Sequence, residues 1–501
     1  MDKKKSCKLH ADMENLTLDI LQSLPLALLL VMALFLMIAE AIDRKSVVVP
    51  YIGIVALLVS AVLEFPFNDK NGDMYRSVTI YGGMLKVRGI ASLFHVVLCV
   101  TGVFALSFAV PYLRKLKQYK DDITGEITVL TIFAVIGMIL LANANDLIIT
   151  FIGLETMSVC LYIMAGSIKT RKESNESGIK YFLLGAFASA FLLYGIALIY
   201  GASGSTNYNK MNMAMLQSSP LFYAGVGLIL VGFLFKVSAF PFHFWTPDVY
   251  QGAPTPMVGF MSTASKSASF WGLMLFIVAM TTVPKVNFLL QIIAVLTMVW
   301  GNFMAIRQTN LKRVLAYSSI AHAGYVLLAM ASHSNAGFQA VVFYMIAYTI
   351  MNLAAFGIIS LIEGEKFSTS AKELQGLYYQ KPAYAIILSV SMLALSGIPP
   401  FIGFIGKYQV FAAAIKANII FPSIIGIITS VVSAFYYLSV IRRICFIKPD
   451  EKYPHTPFAP DGLSYTALGV LIFAMVLFGC YPSPVLNLVN KLYIYSVAFI
   501  G

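Results

Sequence analysis

Four charged side chains lie inside long apolar stretches of this 501-residue sequence: Lys236, Lys266, Lys407 and Glu155. A charge at the centre of a bilayer costs about 2.5–3.5 kcal/mol on insertion scales, so such residues are rare and usually mark an ion or proton path. Three lysines together cost about 8–10 kcal/mol, comparable with the net stability of a typical domain. We therefore expect these residues to perform proton chemistry, with amines that accept and release protons and a carboxylate as counter-ion.

The composition predicts a membrane protein. Hydrophobic residues make up 59% of the chain and charged residues 12%, whereas a soluble domain has about 25% charged residues. The formal charge of +12 would suggest nucleic acid in a soluble protein. Here the basic residues lie between apolar segments, so they indicate membrane topology, and no nucleic-acid partner is expected.

No motif for a cofactor or metal is recognisable in the sequence. Cys-x-x-Cys pairs, Cys/His clusters with metal spacing, a Rossmann glycine fingerprint and a P-loop are all missing. The segment from Gly403 to Lys407 is superficially P-loop-like, but Tyr408 stands where Ser or Thr is required. We expect neither a redox cofactor nor a metal in this chain.

Apolar segments of about 20 residues, the length that crosses a bilayer as a helix, recur throughout the chain. They predict an all-α, polytopic membrane protein with about fourteen transmembrane helices and a short amphipathic helix at the C-terminus. The predicted spans cover residues 20–39, 46–64, 89–113, 127–143, 146–166, 178–201, 221–249, 254–280, 286–306, 312–332, 336–362, 383–415, 419–446 and 463–482.

Basic residues are more frequent in the loops that follow odd-numbered spans, for example Arg114 and Arg171. The positive-inside rule places these loops in the cytoplasm and both termini on the outer face. The N-terminal tail disagrees, because it carries Lys3, Lys4, Lys5 and Lys8 and resembles the start of a signal peptide. Because the following apolar run is long and lacks a cleavage site, we expect it to remain as the first span.

Two of the charged spans also contain helix-breaking prolines. Pro241 follows Lys236 by five residues and would free the carbonyl of Val237, while Pro399 and Pro400 precede Lys407 and would free the carbonyls of Leu395 and Ser396. Broken helices at membrane depth are tolerated inside protein or along a wet cavity. One break in each half, five spans apart, predicts two inverted five-helix repeats around a transport path.

The domain organisation follows from these repeats. Residues 1–125 hold the tail and spans one to three, and residues 126–280 form the first repeat with spans four to eight. Residues 281–446 form the second repeat with spans nine to thirteen, and residues 447–501 hold the last span and the amphipathic tail.

The relay is predicted from the neighbours of each charge. Glu155, at the middle of the fifth span, is the natural ion-pair partner for a buried lysine such as Lys236. Lys266 lies among serine and threonine hydroxyls that suit a water chain. His322, on the tenth span, either links Lys266 to Lys407 or makes only a structural contact between helices.

The sequence resembles a known family in these same motifs. Phe235-Lys236 through Pro256, Ser262-Thr-Ala-Ser-Lys266, Gly153-Leu-Glu155, Tyr317-Ser-Ser-Ile-Ala-His322 and Ser396-Gly-Ile-Pro-Pro through Lys407 resemble the antiporter-like membrane subunits of bacterial respiratory complex I, over roughly residues 125 to 445. Within this family the longer subunits usually carry a histidine motif where this chain has Ser262 to Lys266. The resemblance therefore favours the compact subunit type, which fits the lysines at 266 and 407 and the length of the chain.

The resemblance implies a role for each matching residue. Glu155 and Lys236 would be the charge pair near proton uptake, Lys266 and His322 the central relay, and Lys407 the terminal lysine before release outside. The chain would then be a proton-translocating subunit of NADH:quinone oxidoreductase in the bacterial inner membrane. Its partners would be the other membrane and peripheral subunits, the lipid bilayer and protons, and flavin and iron–sulfur clusters would lie in partner subunits.

Three alternatives remain open from the sequence. A subunit of a cation/proton antiporter would share the fold, and so would a subunit of a related hydrogenase or ferredoxin-linked quinone reductase. A structural membrane anchor is the third, and four charges at mid-membrane depth argue against it.

Overall fold

The computed structural model describes residues 16–44, 48–64, 77–116, 123–211, 219–279, 284–363, 369–370, 372–449 and 462–497. Within these ranges the chain is almost entirely helical, which confirms the predicted all-α class. The basic tail with Lys3 to Lys8 lies outside the described residues, so its orientation stays a prediction.

The first ten helices lie between Leu24 and Ala279 and include the first predicted break. In chain order these are α1 (Leu24–Ile42), α2 (Val49–Glu64), α3 (Ile90–Leu116), α4 (Thr124–Ala142), α5 (Leu147–Ala165), α6 (Lys172–Ser203), α7 (Pro220–Lys236), α8 (Trp245–Gly252), and α9 (Thr255–Phe260) joined to α10 (Lys266–Ala279) by a π-helical turn (Met261–Ser265).

The second part repeats the pattern of long helices with one interruption. Its helices are α11 (Pro284–Ile306), α12 (Leu311–Met330), α13 (Asn335–Ile362), the short α14 (Leu377–Gln380), α15 (Pro382–Ser396), α16 (Ile402–Lys416), α17 (Ile420–Phe446), α18 (Gly462–Cys480) and α19 (Ser483–Val497).

Helices occupy all fourteen of the predicted spans, and the two spans with predicted breaks are interrupted as expected. Among the described residues, nine helices are long and apolar enough to cross a membrane by length and composition, and α2, α7 and α15 are shorter apolar helices. The exact number of spans, the inverted repeats and the domain boundaries stay predictions. One small element was not predicted: strands β1 (Val78–Ile80) and β2 (Leu85–Val87) form an antiparallel hairpin between α2 and α3.

Side-chain caps fix where several helices begin. The carboxylate of Asp146 accepts a hydrogen bond of 2.8 Å from the amide of Ile148 at the start of α5. Asn310 caps α12 in the same way through the amide of Arg313. Because each cap satisfies a backbone donor that the helix leaves free, it stabilises the start of the helix by about 0.5–2 kcal/mol.

Glycines allow α4 and α5 to cross in backbone contact. A β-carbon on Gly137 would lie 2.5 Å from the amide nitrogen of Met157, and one on Gly153 would lie 2.7 Å from the amide nitrogen of Leu141. Only residues without a β-carbon permit this approach, as in other membrane helix pairs that use small residues. The crossing fixes the face of α5 that carries Glu155.

The pair α11 and α12 crosses through glycines in the same manner. A β-carbon on Gly301 would lie 2.6 Å from the amide nitrogen of Ala321, and one on Gly324 would lie 2.8 Å from that of Met298. These helices are the ninth and tenth predicted spans, five spans after α4 and α5. The matched crossings support the proposed repeat.

Replacing Gly153 with alanine is expected to lower the Tm of the assembled protein and to displace Glu155. The methyl group would meet backbone atoms of α4, and overpacking of this kind costs about 1–3 kcal/mol. The Tm of purified material measures the effect. Gly227→Ala on α7 is the matched control, because its β-carbon would have no heavy atom within 4 Å. An unchanged Tm for Gly153→Ala would contradict the close crossing.

Candidate proton-relay site

The first break places Lys236 at the very end of α7. The helix ends at Lys236 and not at Pro241, because Ser238 adopts a left-handed conformation with φ of 62°. The amide of Ala239 closes the end by donating to the carbonyl of Leu234. Of the carbonyls near this end, that of Phe235 accepts a hydrogen bond of 3.0 Å from the indole of Trp245 on α8. The sequence predicted that Pro241 would free the carbonyl of Val237; the helix ends one residue before Val237, so the break begins ahead of the proline.

Lys236 is buried and is held by two hydroxyl groups of α5. Its ammonium donates to the hydroxyl of Ser158 at 2.5 Å and to that of Tyr162 at 2.8 Å. The Nζ atom also lies 4.9 Å from the centre of the Tyr162 ring, within the range of cation–π attraction. The side chain therefore has good hydrogen-bond partners without a formal negative charge in contact.

Glu155 does not form the expected direct ion pair with Lys236. Among the described residues, no carboxylate oxygen lies within 4.0 Å of the Lys236 ammonium, and Glu155 instead accepts a hydrogen bond from Ser189 on α6. Residues 155, 158 and 162 follow one another at helical spacing on one side of α5. Ser158, one turn from Glu155, and Tyr162, two turns from it, thus hold the amine, and Glu155 itself is only partly buried.

A π-helical turn directly precedes Lys266. This turn, Met261–Ser265, widens the helix between α9 and α10, and such insertions are frequent at functional sites. The buried ammonium of Lys266 donates to the backbone carbonyl of Ser319 at 3.1 Å and to its hydroxyl. Ser319 lies on α12, so the sequence was right to expect hydroxyls beside Lys266, although the decisive one comes from another helix.

His322 lies one turn beyond Ser319 on α12 and is bonded through both ring nitrogens. Its Nδ1 is 2.7 Å from the hydroxyl of Tyr344, and its Nε2 is 3.1 Å from the hydroxyl of Tyr437. A neutral imidazole donates through one nitrogen and accepts through the other, so this arrangement can hold either tautomer.

The second break presents a backbone carbonyl to Lys407. Helix α15 ends at Ser396, Gly397 adopts φ of 82°, and α16 begins at Ile402. The carbonyl of Ser396, one of the two expected to be freed, accepts a hydrogen bond of 2.8 Å from the Lys407 ammonium. This ammonium also lies 5.4 Å from the ring centre of Tyr325.

Helix α12 thus lies between two of the lysines. Ser319 binds Lys266, Tyr325 faces Lys407, and His322 comes between them, 5.6 Å from the Tyr325 ring. By contrast, the hydrogen bonds of the described residues do not connect Lys236 to Lys266. The structure therefore brings the central and terminal parts of the predicted relay together and leaves a gap before them.

A buried ion pair near this site was missed from the sequence. Lys312, in the first turn of α12, lies 3.1 Å from a carboxylate oxygen of Glu363, which follows α13. Both residues lie at helix ends, where charged side chains are common, so the hydropathy of the sequence did not indicate that they are buried. Only the packing of α12 against α13 shows that both are buried.

The fold and the site define a multi-pass membrane protein with a chain of buried amines. Residues 144–433 match the family model described as NADH:quinone oxidoreductase/Mrp antiporter, TM. The chain belongs to this family of antiporter-like membrane subunits.

The relatives within the family are more specific. NADH-quinone oxidoreductase subunit N of Salinibacter ruber is 40% identical over 462 residues, 89% of this chain and 91% of the relative. A chain of respiratory complex I from Thermus thermophilus with bound aureothin superposes with a TM-score of 0.77 at 33% identity, covering 92% of this chain and 98% of that one. These matches confirm the family that the motifs predicted, and the Salinibacter ruber relative is a subunit N.

A chain of a second respiratory complex has the same fold. The membrane-bound sulfane sulfur reductase, an archaeal respiratory membrane complex, superposes with a TM-score of 0.84 at 26% identity, covering 95% of this chain and 98% of that one. The architecture is therefore shared by complexes with different redox chemistry.

Proposed function

We propose that the chain is a proton-translocating membrane subunit of a bacterial NADH:quinone oxidoreductase. Protons move along Glu155, Lys236, Lys266, His322 and Lys407 while quinone is reduced elsewhere in the complex. Flavin and iron–sulfur clusters belong to partner subunits, and this chain supplies no redox site. Its partners are the other membrane and peripheral subunits, the surrounding lipid and protons.

One observation carries this proposal. Lys236, Lys266 and Lys407 are all buried, and among the described residues each donates to hydroxyl or carbonyl oxygens with no carboxylate in contact. A carboxylate in contact would fix the charge of a buried amine, whereas neutral oxygen partners leave its proton available for transfer. Three such amines in succession are suited to proton transfer, whereas a structural role would be served by tight ion pairs or by apolar side chains.

The separation of Glu155 from Lys236 suggests how the relay is driven. With the two apart, as here, Lys236 is free to pass a proton towards Lys266. Movement of α5 or α6 that brings Glu155 to Lys236 would hold a proton on the amine again. A neighbouring subunit in contact with the partly exposed Glu155 can supply this movement.

The orientation follows from one end of the bundle, called here the basic end. This end holds Arg313 at the start of α12, which forms an ion pair of 2.8 Å with Asp248 on α8. Asn310, just before α12, pairs there with the backbone of Ser370, in the segment after α13. By the positive-inside rule this end faces the cytoplasm of a bacterial inner membrane, and both termini face outward.

Purification of the tagged chain from its native membrane in mild detergent tests the function. We expect NADH:quinone oxidoreductase activity and flavin to co-purify with it. Co-purification of a different redox activity would instead support the related respiratory complex, whose fold is shared. A stable chain without flavin or redox partners would contradict the proposal, and sodium-dependent proton exchange in vesicles would then identify a cation/proton antiporter.

A further inference from the structure

A second buried cluster of charges lies at the basic end, outside the relay. The ammonium of Lys312 is 3.1 Å from Glu363 Oε1, and it also donates to the Thr255 hydroxyl at 3.1 Å and to the Ala253 carbonyl at 3.2 Å. The Thr255 hydroxyl in turn donates to the other carboxylate oxygen of Glu363. The cluster therefore joins the ends of α8, α9, α12 and α13.

Stability alone gives a weak reason for this ion pair. The side chains of Lys312 and Glu363 are 1% and 0% exposed. A buried ion pair is often no more stabilising than apolar residues of the same volume, because desolvation of the two charges offsets their attraction. A pair that adds little stability at the mouth of a proton-conducting bundle is a candidate for function.

Two helices lead from this cluster towards Lys266. On α12, Lys312, Ala316 and Ser319 follow one another at helical spacing, and Ser319 binds Lys266. Thr255 begins α9, and Lys266 begins α10 directly after the π-helical turn. Both segments thus lead from the cluster to the same amine.

Polar groups that suit water-mediated transfer lie along this route. The hydroxyls of Tyr250 and Tyr348 face Ser319. Both hydroxyls are buried and make no hydrogen bond to the described residues, and ordered water commonly satisfies such groups. Phe356 lies beside them, against Gly259 and 6.1 Å from the Tyr250 ring.

We propose that Lys312, Glu363 and Thr255 form a proton-uptake site at the basic end that reloads Lys266 after this amine has passed its proton on, so that each pumping cycle needs both this uptake and the transfer from Lys236. This inference rests on the proposed function and deepens it. A proton from bulk water adds to the Glu363 carboxylate and releases it from Lys312. The carboxylic acid then donates its proton through water and the Tyr250 and Ser319 hydroxyls to neutral Lys266, and the restored carboxylate pairs with Lys312 again. Tyr112 on α3 and Arg171 before α6 are the other titratable groups that face the cluster.

The double variant Lys312→Met/Glu363→Gln in the whole complex tests this proposal. It removes both charges and keeps side chains of similar volume, so a purely structural pair would be replaced with little loss. We expect the complex to assemble and proton pumping per quinone reduced to fall about tenfold, because a positioned acid is missing. The double variant Lys416→Met/Glu176→Gln, which removes one exposed charge of each sign away from the cluster, is the matched control and should pump normally.

A second variant decides the question if the double variant fails to assemble. Thr255→Val is isosteric and keeps both charges, but it removes the hydroxyl that joins them, and we expect pumping about fivefold lower. Normal pumping by an assembled double variant, or by Thr255→Val where the double variant does not assemble, would overturn the uptake site. If Lys236→Ala still lost pumping, the proposed function would stand, whereas normal pumping by Lys236→Ala as well would overturn both.

Discussion

Replacing Lys236 with alanine is expected to reduce proton pumping to below about a tenth of the wild-type level while the complex still assembles. The variant removes the amine that Ser158 and Tyr162 hold, and a hydroxyl group cannot bind and carry a proton in the way that an amine does. Proton uptake into reconstituted vesicles during quinone reduction measures the effect.

Two further variants separate chemistry from packing at Lys236. Lys236→Met keeps most of the side-chain volume, so it should lose pumping to the same degree if the amine is what matters. Lys210→Ala, at an exposed position before α7, is the control and should behave as wild type. Wild-type pumping by assembled Lys236→Met would remove this residue from the relay.

Replacing Lys407 with arginine is expected to block proton release although the positive charge is kept. Arginine remains protonated in proteins, so it cannot pass its proton on as a lysine can. We expect about tenfold lower pumping, and raising the pH from about 7 to 9 should not restore it, because the guanidinium keeps its proton throughout this range.

The control for Lys407→Arg lies on the same helix. Lys416 is exposed in the last turn of α16, and Lys416→Arg should leave pumping unchanged. The site around Lys407 is tight, since a β-carbon on Gly397 would lie 2.8 Å from Lys407 Cδ. Lys407→Met, which is smaller than arginine, should therefore also be measured. Full activity of the arginine variant would show that no proton is released at this position.

The sequence predicted the helices and both breaks because their signals are local. Apolar runs of sufficient length and the prolines near Lys236 and Lys407 are readable within about one helix length. The prediction for the second break extended to a single contact, since the freed carbonyl of Ser396 receives the Lys407 ammonium. At the first break the helix ends at Lys236, ahead of Pro241, because Ser238 already leaves the helical conformation.

The identity of the chemical groups was also set by the sequence. Lysines inside apolar runs are costly wherever they pack, so Lys236, Lys266 and Lys407 were recognisable without a structure. Their partners were not. Ser158 lies 78 residues from Lys236 in the chain, and Glu363 lies 51 residues from Lys312.

The sequence by itself therefore determined the membrane class, the helices, the positions of the breaks to within a few residues and the amines that can carry protons. Only the tertiary structure decided that Glu155 and Lys236 are apart, that α12 lies between Lys266 and Lys407, and that Lys312 and Glu363 form a buried pair. The physical reason is that helix formation and the cost of burying a charge depend on neighbouring residues. Which hydroxyl, carbonyl or carboxylate meets each amine depends on how distant helices pack, including where glycines such as Gly153 and Gly324 let them approach.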